Sequence, residues 1–394
     1  MSNYRNSAIT VVLTLLLAAC SEQTEVAENS TVVTDESATA KDENAAVVEQ
    51  STSAVVTTTC DRTCIIGVTN AYLSALAAHD PGAAPLADNV RFVENIKAMT
   101  PGEGLWQSIV SGPDSFQIFV PDEIKQTVGY LGMMRYMAAP PAPSGISPEE
   151  RAEFAANAEK TEQPVLVALR LQLEGGKITE VEHLLATISE TVNNDPDSPF
   201  AGRPAPISRL QTPRPGLLAE IQEDKRMDHD KLIEIGLSYY DALDDNDGTL
   251  MPFAEDCQRH ENGMVTAGPE LGGGTNIPGA NSNQSATTAR DCVGQLNSKT
   301  FTYIDRIENR RVFAADPVTG LVIGFSHFRH PMDNLPYEVV RTDGSTVTFD
   351  KERMPFAPFD LPAAHIYKIG ADGLVHEIEA MGFVTSYNAP TGWE

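Results

Sequence analysis

The chain has 394 residues and carries 28 Lys and Arg against 55 Asp and Glu, a formal net charge of −27. That balance argues against nucleic acid or an anionic lipid surface as an electrostatic partner, because both require clustered positive charge. The length exceeds what one comfortable core accommodates and predicts two domains.

Residues 1–20 read as an address and not as structure. Arg5 supplies a positive start, and the apolar run "AITVVLTLLLAA" is too short to span a bilayer comfortably. It ends in "LAAC", which resembles the lipobox of bacterial lipoproteins. The resemblance implies that Cys20 is lipidated and becomes the new N-terminus, so that the only membrane contact is a lipid anchor in the cell envelope. Ser21 in place of an aspartate implies the outer membrane, facing the periplasm or the exterior. Residues 21–57 then form an acidic tether: 21–55 hold eight acids, one lysine and no aromatic residue, too little apolar surface to offset the entropy of ordering.

The first folded unit is expected over 58–188. "CDRTC" opens it, followed by "IIGVTNAYLSALAAHD", whose Ile66, Val68, Tyr72, Leu73 and Leu76 share a helical face. Next come "APLADNVRFVEN", the Gly-rich turn "TPGEGLWQSI", and the strand-like "FQIFVPD" and "TVGYLGMMRYM". An insertion, "APPAPSGISPEERAEFAANAEK", carries a helix start in which Ser147 has Glu150 three residues on; it either covers a neighbouring cavity as a lid or projects. "PVLVALRLQLEGGKITEVEHLLA" is a hairpin turned at Gly175 and Gly176. Residues 189–226 are a Pro-rich connector.

The second unit is expected over 227–388 and repeats the first. "SYYDALDDND" answers "AYLSALAAHD", "CQRHEN" answers "VRFVEN", and "DGLVHEIEAM" answers "GGKITEVEHL", with Glu377 and Glu379 matching Glu180 and Glu182. "DDNDG" is no calcium loop, since its first and twelfth positions would be Leu243 and Ala254. "ELGGGTNIPG" lacks the lysine of a phosphate loop. Four cysteines remain, Cys60, Cys64, Cys257 and Cys292. They permit three pairings, of which the repeat layout favours Cys60 with Cys64 and Cys257 with Cys292. No histidine has zinc-finger spacing, so no metal is expected.

Helix, short strand and antiparallel meander, written twice, predict an α+β protein. In this order the motifs resemble the nuclear transport factor 2-like superfamily, also called SnoaL-like or ketosteroid isomerase-like. "CDRTC" with the doubled "EN" is similar, more narrowly, to a little-characterised family of secreted fungal and bacterial proteins. The resemblance implies two tandem cones, each a curved antiparallel sheet wrapped on helices, working without a cofactor on a small-molecule ligand or substrate. Steroid isomerases of the superfamily carry "VEDP" at the strand in question, with the aspartate as base. Glu94 and Glu261 match its glutamate, and Asn95 and Asn262 stand where the base would be. Asparagine cannot take a proton near neutrality.

Chemistry is therefore sought in the second cone. His260, Glu261, Tyr303, Asp305 and His327 are proton-transfer types, His330 is another, and Arg329 is suited to an anion. The superfamily's dehydratases imply a His/acid pair, giving a lyase, dehydratase or isomerase acting on a partly apolar molecule. The first unit shows no histidine in its central strands; Tyr72, Glu94, Asn95, Trp106, Tyr130 and Arg170 would line a binding cavity or a core. The alternative from another class is a catalytically silent binding or assembly protein. A catalytic cone should set two titratable groups against one cavity, and a silent one should be closed by Phe, Leu and Met. The sequence sets no oligomeric state.

Overall fold

A computed structural model describes residues 59–142, 146–192, 202–271 and 291–394. Cys20, the tether, residues 193–201 of the connector and most of the "ELGGGTNIPG" loop lie outside the described residues.

The first unit runs α1 (Arg62–Ala77), β1 (Leu86–Glu94), β2 (Lys97–Met99), α2 (Leu105–Ser108), β3 (Ile109–Ser111), β4 (Gln117–Asp122), β5 (Thr127–Ala138), α3 (Pro148–Asn157), β6 (Thr161–Glu174) and β7 (Lys177–Thr187). Asp61 caps α1 by accepting from the Cys64 amide at 2.8 Å. The helix buries Ile65, Tyr72, Leu73 and Leu76 against the sheet. Strand order is β2-β1-β7-β6-β5-β3, with β4 also paired to β5.

After the short α4 (Pro215–Leu218) the second unit repeats this plan. It comprises α5 (His229–Asp244), β8 (Phe253–Glu261), β9 (Met264–Ala267), α6 (Cys292–Asn297), β10 (Arg306–Asp316), β11 (Leu321–His330), β12 (Tyr337–Val340), β13 (Thr346–Phe349), β14 (Phe359–Ile369), β15 (Val375–Gly382) and β16 (Thr385–Ser386). Strand order is β10-β11-β14-β15-β8-β9. The two sheets are therefore built alike, and each is mixed: pairing is antiparallel except for β1 on β7 and β8 on β15, which run parallel. Each sheet curls over its long helix, and the hollow between them is the cone. Cys60 is bonded to Cys64 and Cys257 to Cys292, the pairings favoured by the repeat layout.

The doubled "EN" has a backbone cause. Asn95 and Ile96 have φ of 45° and 61°, and Asn262 and Gly263 have 48° and 76°, the left-handed pair that a two-residue hairpin turn requires and asparagine tolerates. Each asparagine also extends the parallel pairing with its side chain. Leu185 N–H donates to Asn95 Oδ1 at 2.8 Å, and Gly382 N–H donates to Asn262 Oδ1 at 3.2 Å.

The cones pack back to back. β11 is buried along its whole length and β5 from Thr127 to Met134, as strands covered on both faces are. Ile118, Leu131, Leu166 and Leu184 of the first sheet meet Phe313, Ile323, Phe325 and Ile366 of the second, and Leu210 and Leu217 of the connector fill the same core. Contact is close enough that a Cβ on Gly129 would fall 2.2 Å from Ile323 Cγ2. Arg311 crosses the interface to grip both oxygens of Glu182 at 2.7 Å. The connector thus wraps the interface, and the tail beyond β16 returns to the first unit, where Trp393 lies under the Arg91 guanidinium at 4.7 Å.

Candidate functional site

Tyr72 comes from α1, Glu94 from the end of β1 and His183 from β7; all three side chains meet in the first cone. His183 Nδ1 is 3.1 Å from Glu94 Oε2, and its Nε2 is 2.7 Å from the Tyr72 hydroxyl. One neutral tautomer satisfies the set: Nδ1–H donates to the carboxylate, and Nε2 accepts the phenol proton. The phenol keeps that proton, since burial first and the charge of Glu94 second push Tyr72 well above the ordinary tyrosine range. From the other side, the Leu105 N–H is shared by the two Glu94 oxygens at 3.1 and 3.0 Å. Gly104 permits that approach: its φ is 62°, and a Cβ there would stand 2.2 Å from Glu94 Oε1. Trp106 meets the Tyr72 ring edge-on at 5.4 Å, and Phe92 meets His183 at 4.9 Å.

Glu94 is buried, only 5% exposed, at the bottom of an opening. It forms part of the wall of a cavity of about 940 Å³ at the mouth of the first cone. Gln107, Tyr136 and Leu185 continue that wall, and Arg151 and Phe154 of α3 lie over it. The insertion is therefore a cover, and its helix starts as the sequence expects, with Ser147 and Glu150 bonded reciprocally. The second unit closes the remaining side with Asn262, Phe383 and Val384, so both "EN" turns border one cavity. The Tyr136 hydroxyl is 2.5 Å from Thr187 Oγ1, and burial, against that hydrogen bond, raises its pKa.

The second cone is built differently. Arg259 donates from Nε to the Tyr239 hydroxyl at 2.8 Å and from Nη2 to Glu261 at 2.7 Å, spanning the tyrosine and glutamate that correspond to Tyr72 and Glu94. Glu261 and Tyr303 do face this cone, with His330 and His365, but the space among them is about 40 Å³, room for a single water. Leu243, Phe301, Phe328 and Met381 take up the rest. Burial, with Glu261 assisting, pushes Tyr303 up to about 12.

Three expected catalytic residues lie elsewhere. His260 and His327 each sit one residue out of step with the cone-facing positions, so the strand pleat turns them to the outer face. His260 meets Arg214 of the connector, and burial first, then Arg214, lowers it to about 3. His327 lies 3.3 Å from Asp360 and is lowered by burial and then by Arg329. Arg329 is itself paired with Asp360 and Glu308 on that face, and so holds no anion in the cone. Asp305 is half-exposed against Arg306. In the first unit Tyr130 packs inside against Phe119, and Arg170 pairs outside with Glu180. The expectation that this unit lacks a strand histidine is corrected by His183. It stands in the quoted "GGKITEVEHL", but its counterpart in the other copy is Ala380, and the repeat therefore drew no attention to it. Arg259 was missed likewise, because its counterpart is Phe92. Among the described residues no group of three His, Cys, Asp or Glu side chains is arranged to hold a metal.

Residues 225–382 match a family model described as a domain of unknown function, DUF8021. No curated protein matches the chain. Solved structures similar to it include a candidate polyketide cyclase from Silicibacter sp. TM1040, at 14% identity over 40% of this chain and 92% of that one, with a TM-score of 0.24. An NTF2-like protein from Burkholderia thailandensis E264 shares 17% identity over 40% and 92%, with a TM-score of 0.20. AusH from Aspergillus nidulans shares 10% over 39% and 84%, with a TM-score of 0.21.

Proposed function

We propose that the protein binds a small, partly apolar molecule at the mouth of the first cone and moves a proton on it with Glu94, as a cofactor-independent isomerase, lyase or dehydratase. The observation that carries this is a carboxylate on the wall of a 940 Å³ cavity, held from behind by His183 and Tyr72. Glu94 would take a proton from a carbon or hydroxyl of the ligand and return it at a neighbouring atom. His183 and Leu105 N–H fix the carboxylate and Tyr72 fixes the imidazole, so the base is oriented before the ligand arrives. The second unit, with its filled cone and a permanently charged Arg259 between Tyr239 and Glu261, serves as scaffold and as one wall of the cavity.

The test is ring-opening elimination of 5-nitrobenzisoxazole, in which a base removes the C3 proton, the freed electron pair forms the nitrile, and the N–O bond breaks to give a coloured cyanophenoxide. The wild type should accelerate it over buffer carboxylate, Glu94→Gln should abolish the acceleration, and His327→Ala should leave it intact. Retained rate in Glu94→Gln would sink the proposal. The full hydrogen bonding of the Glu94 carboxylate favours one other reading, a silent carrier. That reading predicts that small molecules captured from growth medium, seen by native mass spectrometry, emerge unconverted.

A location belongs to the proposal as well. Cys20 would carry lipid and hold the folded part at the cell envelope through the acidic tether. Cys20→Ser should then release the protein from membranes and prevent incorporation of labelled fatty acid.

A further inference from the structure

The cavity at the first cone is lined against the charge of the chain. The whole protein carries −27, yet the cavity wall holds Arg151 and Lys160 against one acid, Glu94. That acid already has Leu105 N–H and His183 as partners.

Arg151 is the informative residue. Its Nε is buried without a hydrogen-bond partner among the described residues, no ion pair holds it among those residues, and burial lowers the guanidinium from the ordinary arginine pKa. Arg135, from the strand that leads to this cover, shows the usual arrangement, fixed between Glu162 and Glu190. A half-buried guanidinium whose inner Nε–H has no acceptor is costly, and an oxyanion restores what it lacks, because the guanidinium fork can donate two parallel hydrogen bonds to a carboxylate or to two oxygens of a sulfonate. The same cavity has apolar lining as well: Phe154 from the same helix, Leu185 from β7, and Phe383 and Val384 from the second unit. Repulsion from Glu94 would keep the acidic end of a guest toward α3 and leave its uncharged part for the base.

We infer that the cavity takes an amphipathic monoanion, with its acidic group paired to Arg151 and its apolar body against Phe154, Phe383 and Val384. This rests on the reading of the cavity as the ligand site and names the class of ligand.

Two dyes of nearly equal shape test it: 1-anilinonaphthalene-8-sulfonate and its uncharged parent, N-phenyl-1-naphthylamine, titrated by fluorescence against the full-length protein. The sulfonate should bind at least tenfold more tightly than the parent. Arg151→Met, with an unchanged melting temperature, should remove that preference and leave the affinity of the parent unaltered. Equal binding of the two dyes to the wild type, a preference that survives Arg151→Met, or loss of both dyes together in that variant would overturn the inference. The 5-nitrobenzisoxazole assay separates the two ideas. Glu94-dependent elimination without sulfonate preference leaves the catalytic reading and removes this one; sulfonate preference without Glu94-dependent elimination does the reverse.

Discussion

Phe92 and Arg259 occupy the same position in the two copies, two residues before the glutamate of the hairpin turn, and the difference between them divides the cones. Phe92 packs on His183, which links Tyr72 to Glu94; Arg259 makes the corresponding link itself, between Tyr239 and Glu261, where the strand partner of the glutamate is Ala380. Imidazole can donate from one nitrogen and accept at the other, whereas guanidinium only donates.

The first prediction concerns that link. Tyr72→Phe should cost about 1–3 kcal/mol by leaving one buried nitrogen of His183 without its partner. His183→Ala should cost more, since it strands both the phenol and the carboxylate and opens a void. Urea denaturation measures both, and elimination of 5-nitrobenzisoxazole should fall in each even where the fold survives. A His183→Ala protein as stable as the wild type would contradict the network.

Gly104 makes the second. Alanine there meets both a left-handed φ and the Glu94 carboxylate at 2.2 Å, so about 1–3 kcal/mol of strain should appear, with elimination reduced by displacement of Glu94. At Gly175, where a Cβ meets nothing within 4 Å, the same substitution should cost stability but leave the activity unchanged. Equal activities for the two variants would argue against the part assigned to Gly104.

Acid is the subject of the third. Burial, with Arg214 beside His260 and Arg259 beside His365, lowers His260, His330 and His365 to about 3, against about 6.5 in an unfolded chain. Between those values the unfolded state binds protons that the native state does not, so their stabilisation is complete above about pH 6.5 and is lost as pH falls toward 3. Glu379 works with the opposite sign: burial pushes it up to about 7, and the stability it contributes at low pH is lost as pH rises through that value. His327 is lowered as well and adds to the three, while His229 and His376 are raised and carry their protons in both states until pH nears 6.5, so stability rises with pH from about 4.5 to 5.5. His365→Phe should reduce that slope by about one proton, as read from urea midpoints across the range; an unaltered slope would show that His365 is not held neutral.

The fourth tests the back-to-back packing. Gly129→Ala should destabilise strongly because its new Cβ collides with Ile323, and the penalty should shrink when Ile323→Ala is added, a coupling of about 0.5–3 kcal/mol for residues in contact. Additive effects would mean that the sheets do not meet there.

The repeat itself was legible because backbone demands were copied with it: hairpin glycines at 175 and 176, left-handed asparagines at 95 and 262, and the helix face through Tyr72 and Tyr239. So were the capping pair on α3 and the two disulfides. The candidate site was less legible, for one physical reason. In a strand, one step in register exchanges the inside for the outside, and His260 and His327 each stand one step from cone-facing neighbours, Glu261 and Phe328. The same logic hid His183. Its parity with Val181 and Leu185 marks it as inward, but only once those two are known to face the first cone. Nothing local to "SPEERAEFAANAEK" says that it covers a cavity; that depends on where β5 ends.

The shared core between the sheets also has a consequence in time. Ribosomes add about 5–20 residues each second, and the first unit is complete by Thr187 while the strands that cover its outer face end at Gly382. Ile118, Leu131, Leu166 and Leu184 thus wait about 10 to 40 s for their partners at that pace. Leu210 and Leu217, arriving early in that interval and belonging to the same core, make the connector the first cover the waiting sheet can receive.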